Sequence, residues 1–428
     1  MIKAKKYLVV LINVLFLSCA IPHKTEIQSA LRKSDYETCV KIASKEKKTA
    51  NFLANQILIE AASHGETKTT LVSIIQSSGR EITPVIKILR NSKDPEIKAV
   101  ALMKLYTFGE KNALTELKPF IESHYGLARA FAVEAFLKNK QDESFYRKFI
   151  TDTEVEVRLR VVRNLINSKF EWKQEVLRET ATKDPELRVK ALALMALDPT
   201  IESNIEILKE NVLNGTPALV SAALSALGSN PALAEEGWLR KFLLPPVTEM
   251  GIRFASRIAF ASMQGNKFAQ YLNIHLRYLE DALKSPSPSL RIKALWALTS
   301  SNISLNEAQN LSEDKNPEVL LAYAMYSRKM YLNSKKRIEI LKKLSENKNK
   351  DLAIRSIIAL CEERDFKYSQ IRNKLWNFFK KGSSGNKIYI LSFVGLSIND
   401  SSLALIGMSD KDPAVRIHSA SAYLRSIH

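Results

Sequence analysis

A short polar–proline string recurs along the chain and limits the possible folds more than any other feature. It reads Asp94-Pro95-Glu96-Ile97-Lys98, Asp184-Pro185-Glu186-Leu187-Arg188, Ser287-Pro288-Ser289-Leu290-Arg291 and Asp412-Pro413-Ala414-Val415-Arg416. Looser copies begin at Thr216, Asn316 and Asp351. Anchoring each copy on its apolar residue gives eleven positions, 27 to 38 residues apart: Ile97, Ala128, Val157, Leu187, Leu219, Ile252, Leu290, Val319, Ile354, Ile388 and Val415. A period of this length is the mark of a stacked repeat. The string itself is a helix start. Its polar side chain accepts hydrogen bonds from free backbone N–H groups, and Pro at the first helical position loses nothing by lacking one.

Four residues after the anchor, eight of the eleven positions are Ala or Ser; eight residues after it, nine are apolar. Spacings of four and eight fall on one helix face, and the small middle residue admits a neighbouring helix closely. A second amphipathic stretch precedes each start, as at 201–213 and 174–180. The unit is therefore a helical hairpin of about 30 residues that must stack on its neighbours to bury its apolar face. Gly and Pro number only 13 and 14 of 428 residues, too few for an all-β sandwich or a low-complexity chain. The expected fold class is all-α, an α-solenoid.

The string resembles the second-helix signature of HEAT repeats of the PBS-lyase-like kind, D-P-x-V-R-x-x-A. The resemblance covers roughly 80–428. It is strong at 94–105, 184–197, 287–298 and 412–424, and weak at 319–327 and 354–362, where Ser327 and Glu362 break the register. It implies a right-handed α–α superhelix of about eleven or more hairpins. Residues 24–79 are helical in pattern without the string, so 19–79 reads as cap hairpins ahead of the solenoid at 80–428. Arg or Lys follows the anchor at Lys98, Arg129, Arg158, Arg188, Arg253, Arg291, Arg355 and Arg416. The resemblance implies a structural ladder in which these cations meet capping carboxylates such as Asp94, Asp184 and Asp412, or helix-end carbonyls, of an adjacent repeat. A row of arginines offered to an outside anion is the other reading.

The N-terminus reads as an address. Lys3, Lys5 and Lys6 precede an apolar run at 7–17, broken by Asn13, and then Ser18-Cys19-Ala20. This is the layout of a signal peptide over 1–18, too short to span a membrane. Leu15-Phe16-Leu17-Ser18-Cys19 resembles the lipobox of bacterial lipoproteins, in the looser form of spirochaetes, which implies a lipidated Cys19. Ordinary cleavage after Ala20 is the alternative. The expected location is the cell envelope, with the protein lipid-anchored to a bacterial membrane at its periplasmic face or the cell surface.

Catalytic signatures are missing. The sequence has no H-E-x-x-H, G-x-S-x-G, G-x-G-x-x-G or C-x-x-C. The stretch from Gly382 to Lys387 lacks phosphate-loop spacing and reads as an interhelix turn. Enzymes built on HEAT-like repeats use His-Glu pairs for iron, or Trp and Asp in a basic groove for DNA glycosylase chemistry. The sequence has no His-Glu pair, and an exported protein does not meet genomic DNA. No cofactor, metal or nucleic-acid partner is expected. Trp172, Trp238, Trp296 and Trp376 read as core residues. In a solenoid each repeat touches only its neighbours, so Cys39 and Cys361, 322 residues apart, read as separate buried thiols.

Charge is uneven. The net charge is +19, and residues 328–387 hold 17 Lys or Arg against 6 Asp or Glu, a net of 17 − 6 = +11. Candidate anion- or partner-binding residues there are Arg328, Lys329, Lys335, Lys336, Arg337, Lys342, Lys343, Lys380 and Lys381. A solvated face and an anion-binding surface both fit the pattern. The functional expectation is a non-enzymatic scaffold or adaptor for protein partners, held at the membrane by an N-terminal lipid. Binding of anionic lipid or glycan by the basic segment 328–387 is the alternative; a HEAT-like enzyme of lyase or glycosylase type, for which no motif speaks, is the second.

Overall fold

The computed structural model describes residues 21–139, 142–264 and 269–428; the segment 1–18 and Cys19 lie outside the described residues. The described chain is all-α, a helical-repeat solenoid in which successive helices pack in neighbouring pairs, and no strand occurs among the described residues. Two compact units are formed. One comprises the described residues up to Glu110 together with Ser369–His428, the other Lys111–Tyr368.

Helix starts follow a two-step polar pattern. Two residues ahead of several N-caps, a side chain accepts the cap residue's own N–H: Ser92 from Asp94, Asp152 from Glu154, Asp184 from Glu186, Asp314 from Asn316 and Asp410 from Asp412, at 2.7–3.2 Å. The cap then accepts from the first turn, as Asp94 does from Glu96 and Ile97. A side-chain cap contributes about 1 kcal/mol. At the far end of the helix Pro95–Thr107, Gly109 takes φ 101 and Glu110 N–H returns to the Leu105 carbonyl at 3.0 Å. Only glycine enters that region without a Cβ penalty.

This pattern corrects the expected register at two repeats. The helix of the Asp184 string begins at Leu187 with Glu186 as cap, two residues later than its Asp-Pro pair implies. Leu187 is 41% exposed, and Val189, Ala193, Leu194 and Leu197 fill the core instead. Conversely, Asn349 caps the helix Lys350–Cys361, so Asp351 lies inside it and Leu352 is buried along with Ile354. The reason is the same in both: the cap is the second member of the polar pair, whichever residue Pro happens to follow.

In the second unit one apolar core runs continuously from Ala130 to Ile258. Each string-bearing helix packs on the next, Gly126–Leu137 on Val155–Asn167 and Leu187–Met195 on Pro217–Leu227, with its own preceding helix behind it. Trp172 and Trp238 pack against that core, whereas Trp296, expected in the core, is 42% exposed.

The first unit departs from nearest-neighbour stacking. Its N-terminal hairpins, Lys24–Arg32 with Tyr36–Ala43 and Lys47–Ala61 with Lys68–Ser77, receive the helix Pro413–Ile427, which packs on both Lys47–Ala61 and Lys68–Ser77. Ser78 and Ser421 hydroxyls share a buried hydrogen bond at 3.3 Å, and Lys47 Nζ donates to the Ile427 carbonyl at 3.4 Å. Residues more than 340 positions apart therefore meet. Distance in sequence does not mean distance in space here.

Candidate functional site

The ladder is built, in several repeats, from a cation four residues after the cap. Arg129 holds Asp152 through Nε at 3.0 Å and Nη2 at 2.7 Å; Arg158 holds Asp184 at 2.7 and 3.1 Å; Arg291 holds Asp314 at 2.8 and 3.0 Å. Lys387 reaches Asp410 at 2.6 Å in the same position. Each acceptor is the first member of the next repeat's polar pair, so one carboxylate organises a turn and ties two repeats together. The third arginine nitrogen, Nη1, donates back to the loop ahead of its own helix, to the carbonyls of Ser123, Asp152 and Ser285 at 2.6–2.8 Å. Bidentate charge-assisted bonds of this kind are the strong ones.

Other expected rungs sit differently. Asp94 caps its helix and takes Lys68 Nζ at 2.8 Å; Lys98 follows it at the ladder position. Asp412 caps its own helix. Arg188 falls two residues after its cap, is 64% exposed and turns to Glu186 of its own turn. The shifted start of that helix moves it off the ladder. Arg355 Nη1 reaches back to Glu318 at 2.9 Å.

The basic segment is divided by the unit boundary: Arg328 to Lys343 belong to the second unit, Lys380 and Lys381 to the first. Several of its cations are already engaged. Arg337 is buried and bites Glu363 at 2.7 and 2.6 Å, Arg328 pairs with Glu362, and Lys336 reaches Glu313 at 3.3 Å. Lys329, Lys335, Lys342 and Lys343 are exposed, and Tyr331 between them, in a left-handed conformation, is 94% exposed. Lys342 lies over Phe366 and Lys380 over Trp376, each 5.4 Å from the ring centroid. What remains free is a narrower set of lysines than the sequence count suggests.

Sequence reasoning missed a cleft of about 880 Å³ in the first unit. Its walls are the start of Tyr36–Ala43, the end of Lys47–Ala61 with the following turn, and the loop and first turn of Pro413–Ile427. The Arg416 guanidinium lies 4.0 Å from the Tyr36 ring centroid. Glu60 stands on the wall, and burial pushes its carboxyl up against the opposing pull of His64 and Arg416. Hydrogen bonds from Thr38 hold the Asp35 carboxyl down. Asp410 is occupied by Lys387 and by the Asp412 N–H. Arg416 was legible only as one ladder residue among several. No sequence signal announced that the two chain ends would enclose it.

Cys39 and Cys361 are free thiols, raised by burial to about 11 and about 12. Among the described residues, no group of three His, Cys, Asp or Glu side chains could hold a metal ion, and no helix is long and apolar enough to cross a membrane. No known family model matches the chain, and no curated protein matches it in sequence.

Proposed function

We propose that the chain is an exported, lipid-anchored scaffold of the HEAT-repeat kind, attached through Cys19 and working by binding other proteins along its helical surface. The observation that carries the reading is the ladder. The strongest polar groupings are spent internally: Arg129–Asp152, Arg158–Asp184 and Arg291–Asp314 hold repeats together, and Arg337–Glu363 ties the two helices of one hairpin. What they leave to solvent in the second unit is breadth of helix surface, the usual working part of such arrays. Cys19→Ser should release the protein into the aqueous phase of a detergent partition; persistence in the detergent phase would refute the anchor. For the scaffold, cross-linking on intact membranes should yield protein partners whose cross-links spread over several repeats. Failure to capture any partner there would refute it.

The exposed lysines around Tyr331 favour a second reading, in which this edge of the second unit binds anionic headgroups or sulfated glycans. Changing Lys329, Lys335, Lys342 and Lys343 to Glu, and sparing buried Arg337, should abolish retention on heparin and on anionic vesicles. Unchanged retention leaves the segment as solvated surface.

A further inference from the structure

We propose that the cleft beside Tyr36 is a receptor for a small zwitterionic group, whose carboxylate is gripped by the Nε and Nη2 edge of Arg416. The warrant lies in the other repeats. Arg129, Arg158 and Arg291 each sit four residues after a helix cap, and each anchors Nη1 on the carbonyl six residues earlier, at 2.6, 2.8 and 2.8 Å. That anchor presents the Nε–Nη2 edge, which in all three holds an aspartate with both nitrogens at 2.7–3.1 Å.

Arg416 repeats the first half of this arrangement. It sits four residues after Asp412, and its Nη1 donates to the carbonyls of Asp410 at 2.8 Å and Lys411 at 3.0 Å. The second half has no counterpart among the described residues: no carboxylate meets Nε or Nη2. The guanidinium instead stacks on Tyr36 and lines the 880 Å³ cleft. A planar fork fixed at one end, stacked on one face and open at the other edge is preorganised for one more carboxylate. Glu60 shares the wall but makes no ion pair with it. The chain thus carries three examples of the complex that this site lacks.

The rest of the lining narrows the ligand. Besides Arg416 the lining offers one further lysine, Lys411, against the exposed carboxylates Asp35, Glu37 and Glu66 and the wall residue Glu60, an excess that repels a bare anion. Screening in salt reduces that repulsion without removing it. A carboxylate accompanied by a cation satisfies both sets of charges, and the volume suits an amino acid or the last residues of a peptide. A free amino acid derivative and a peptide C-terminus share this chemistry. The inference stands apart from the anchor and from the scaffold reading.

The test uses the full chain and isothermal titration with three probes: Nα-acetyl-lysine, its C-terminal amide, and Nα-acetyl-norleucine. Nα-acetyl-lysine should bind saturably. The amide, lacking the carboxylate, should bind about tenfold more weakly or worse, and the norleucine analogue, lacking the cation, should also be weaker. Acetyl-Ala-Ala-Lys with a free terminus separates the sources: tighter binding than acetyl-lysine assigns the site to a peptide end, equal or weaker binding to a small molecule. Arg416→Lys keeps the charge and a donor for the loop carbonyls but loses the fork, and should cost about tenfold at unchanged thermal stability. Should that variant fail to fold, the wild-type Arg416 Nε–H resonance still reports, since ligand should shift it. Equal affinity for acid and amide, full affinity in a folded Arg416→Lys, or an unmoved Nε–H resonance would each overturn the proposal.

Discussion

Removing Asp184 should damage the second unit far more than removing an exposed neighbour. Its side chain is 3% exposed and that of Arg158 7%. Asp184→Ala deletes both bonds to Arg158, at 2.7 and 3.1 Å, and the acceptor for Glu186 N–H at 2.8 Å. Arg158 would keep only the carbonyls of Asp152 and Thr153. An uncompensated buried charge costs about 3–5 kcal/mol and the lost turn bond about 1 kcal/mol, so about 4–6 kcal/mol is expected. Arg158→Met strands the carboxylate instead and should cost about 3–5 kcal/mol. Combining the two removes both charges, so the double variant should lie within about 2 kcal/mol of the parent, far from the sum of the singles. Repeat arrays need not unfold as one unit. The proper assay is therefore native-state hydrogen exchange of the helices Val155–Asn167 and Leu187–Met195, which reads local opening free energies. Arg188→Ala, at an exposed pair, serves as control and should cost less than about 0.5 kcal/mol. A loss below about 1 kcal/mol for Asp184→Ala, or single effects that simply add, would refute the ladder as the element that couples repeats.

Arg337→Ala should destabilise by about 3–5 kcal/mol, because it leaves Glu363 buried without its partner; exchange in Ser334–Ser345 would report it, and an effect typical of a surface lysine would contradict the assignment. Glu60→Gln should raise thermal stability at neutral pH. The folded carboxyl holds its proton more tightly than the unfolded one, so the wild type loses stability as pH rises from its ordinary value of 4.5 through the raised folded value, and the two proteins should converge below that window. A gain that persists equally at pH 3 would show that something other than ionisation is responsible. Deleting the helix Pro413–Ile427 should strip protection from amides in Lys47–Ala61, its packing partner; unchanged protection would mean that the N-terminal hairpins stand alone.

The helical class was legible because a Pro-bearing cap repeated at a hairpin's length admits few other folds. The register was legible only in part. Asp184-Pro185 has the same letters as Asp94-Pro95, but Asp94 is the second member of its polar pair and Asp184 the first, claimed by Arg158. Ser92-x-Asp94, Asp152-x-Glu154, Asp184-x-Glu186, Asp314-x-Asn316 and Asp410-x-Asp412 would have given the phase at every one of these repeats. In the basic segment a charge count cannot see Glu363 or Glu362 folding back on Arg337 and Arg328. The cleft left no trace at all. Periodicity reports what lies one turn or one repeat away, and Tyr36 and Arg416 are 380 residues apart.

The seating of Pro413–Ile427 on Lys47–Ala61 and Lys68–Ser77 also imposes an order of events. The second unit is continuous from Lys111 to Tyr368 and can condense as its helices are made. The first cannot be finished until Pro413–Ile427 has left the ribosome, some 350 residues after the surface it covers. Through that interval the faces of Lys47–Ala61 and Lys68–Ser77 that receive it lack that cover and are open to chaperones or to misassembly. The closing of Lys47–Ala61 and Lys68–Ser77 against Pro413–Ile427 is therefore post-synthetic with respect to everything between them.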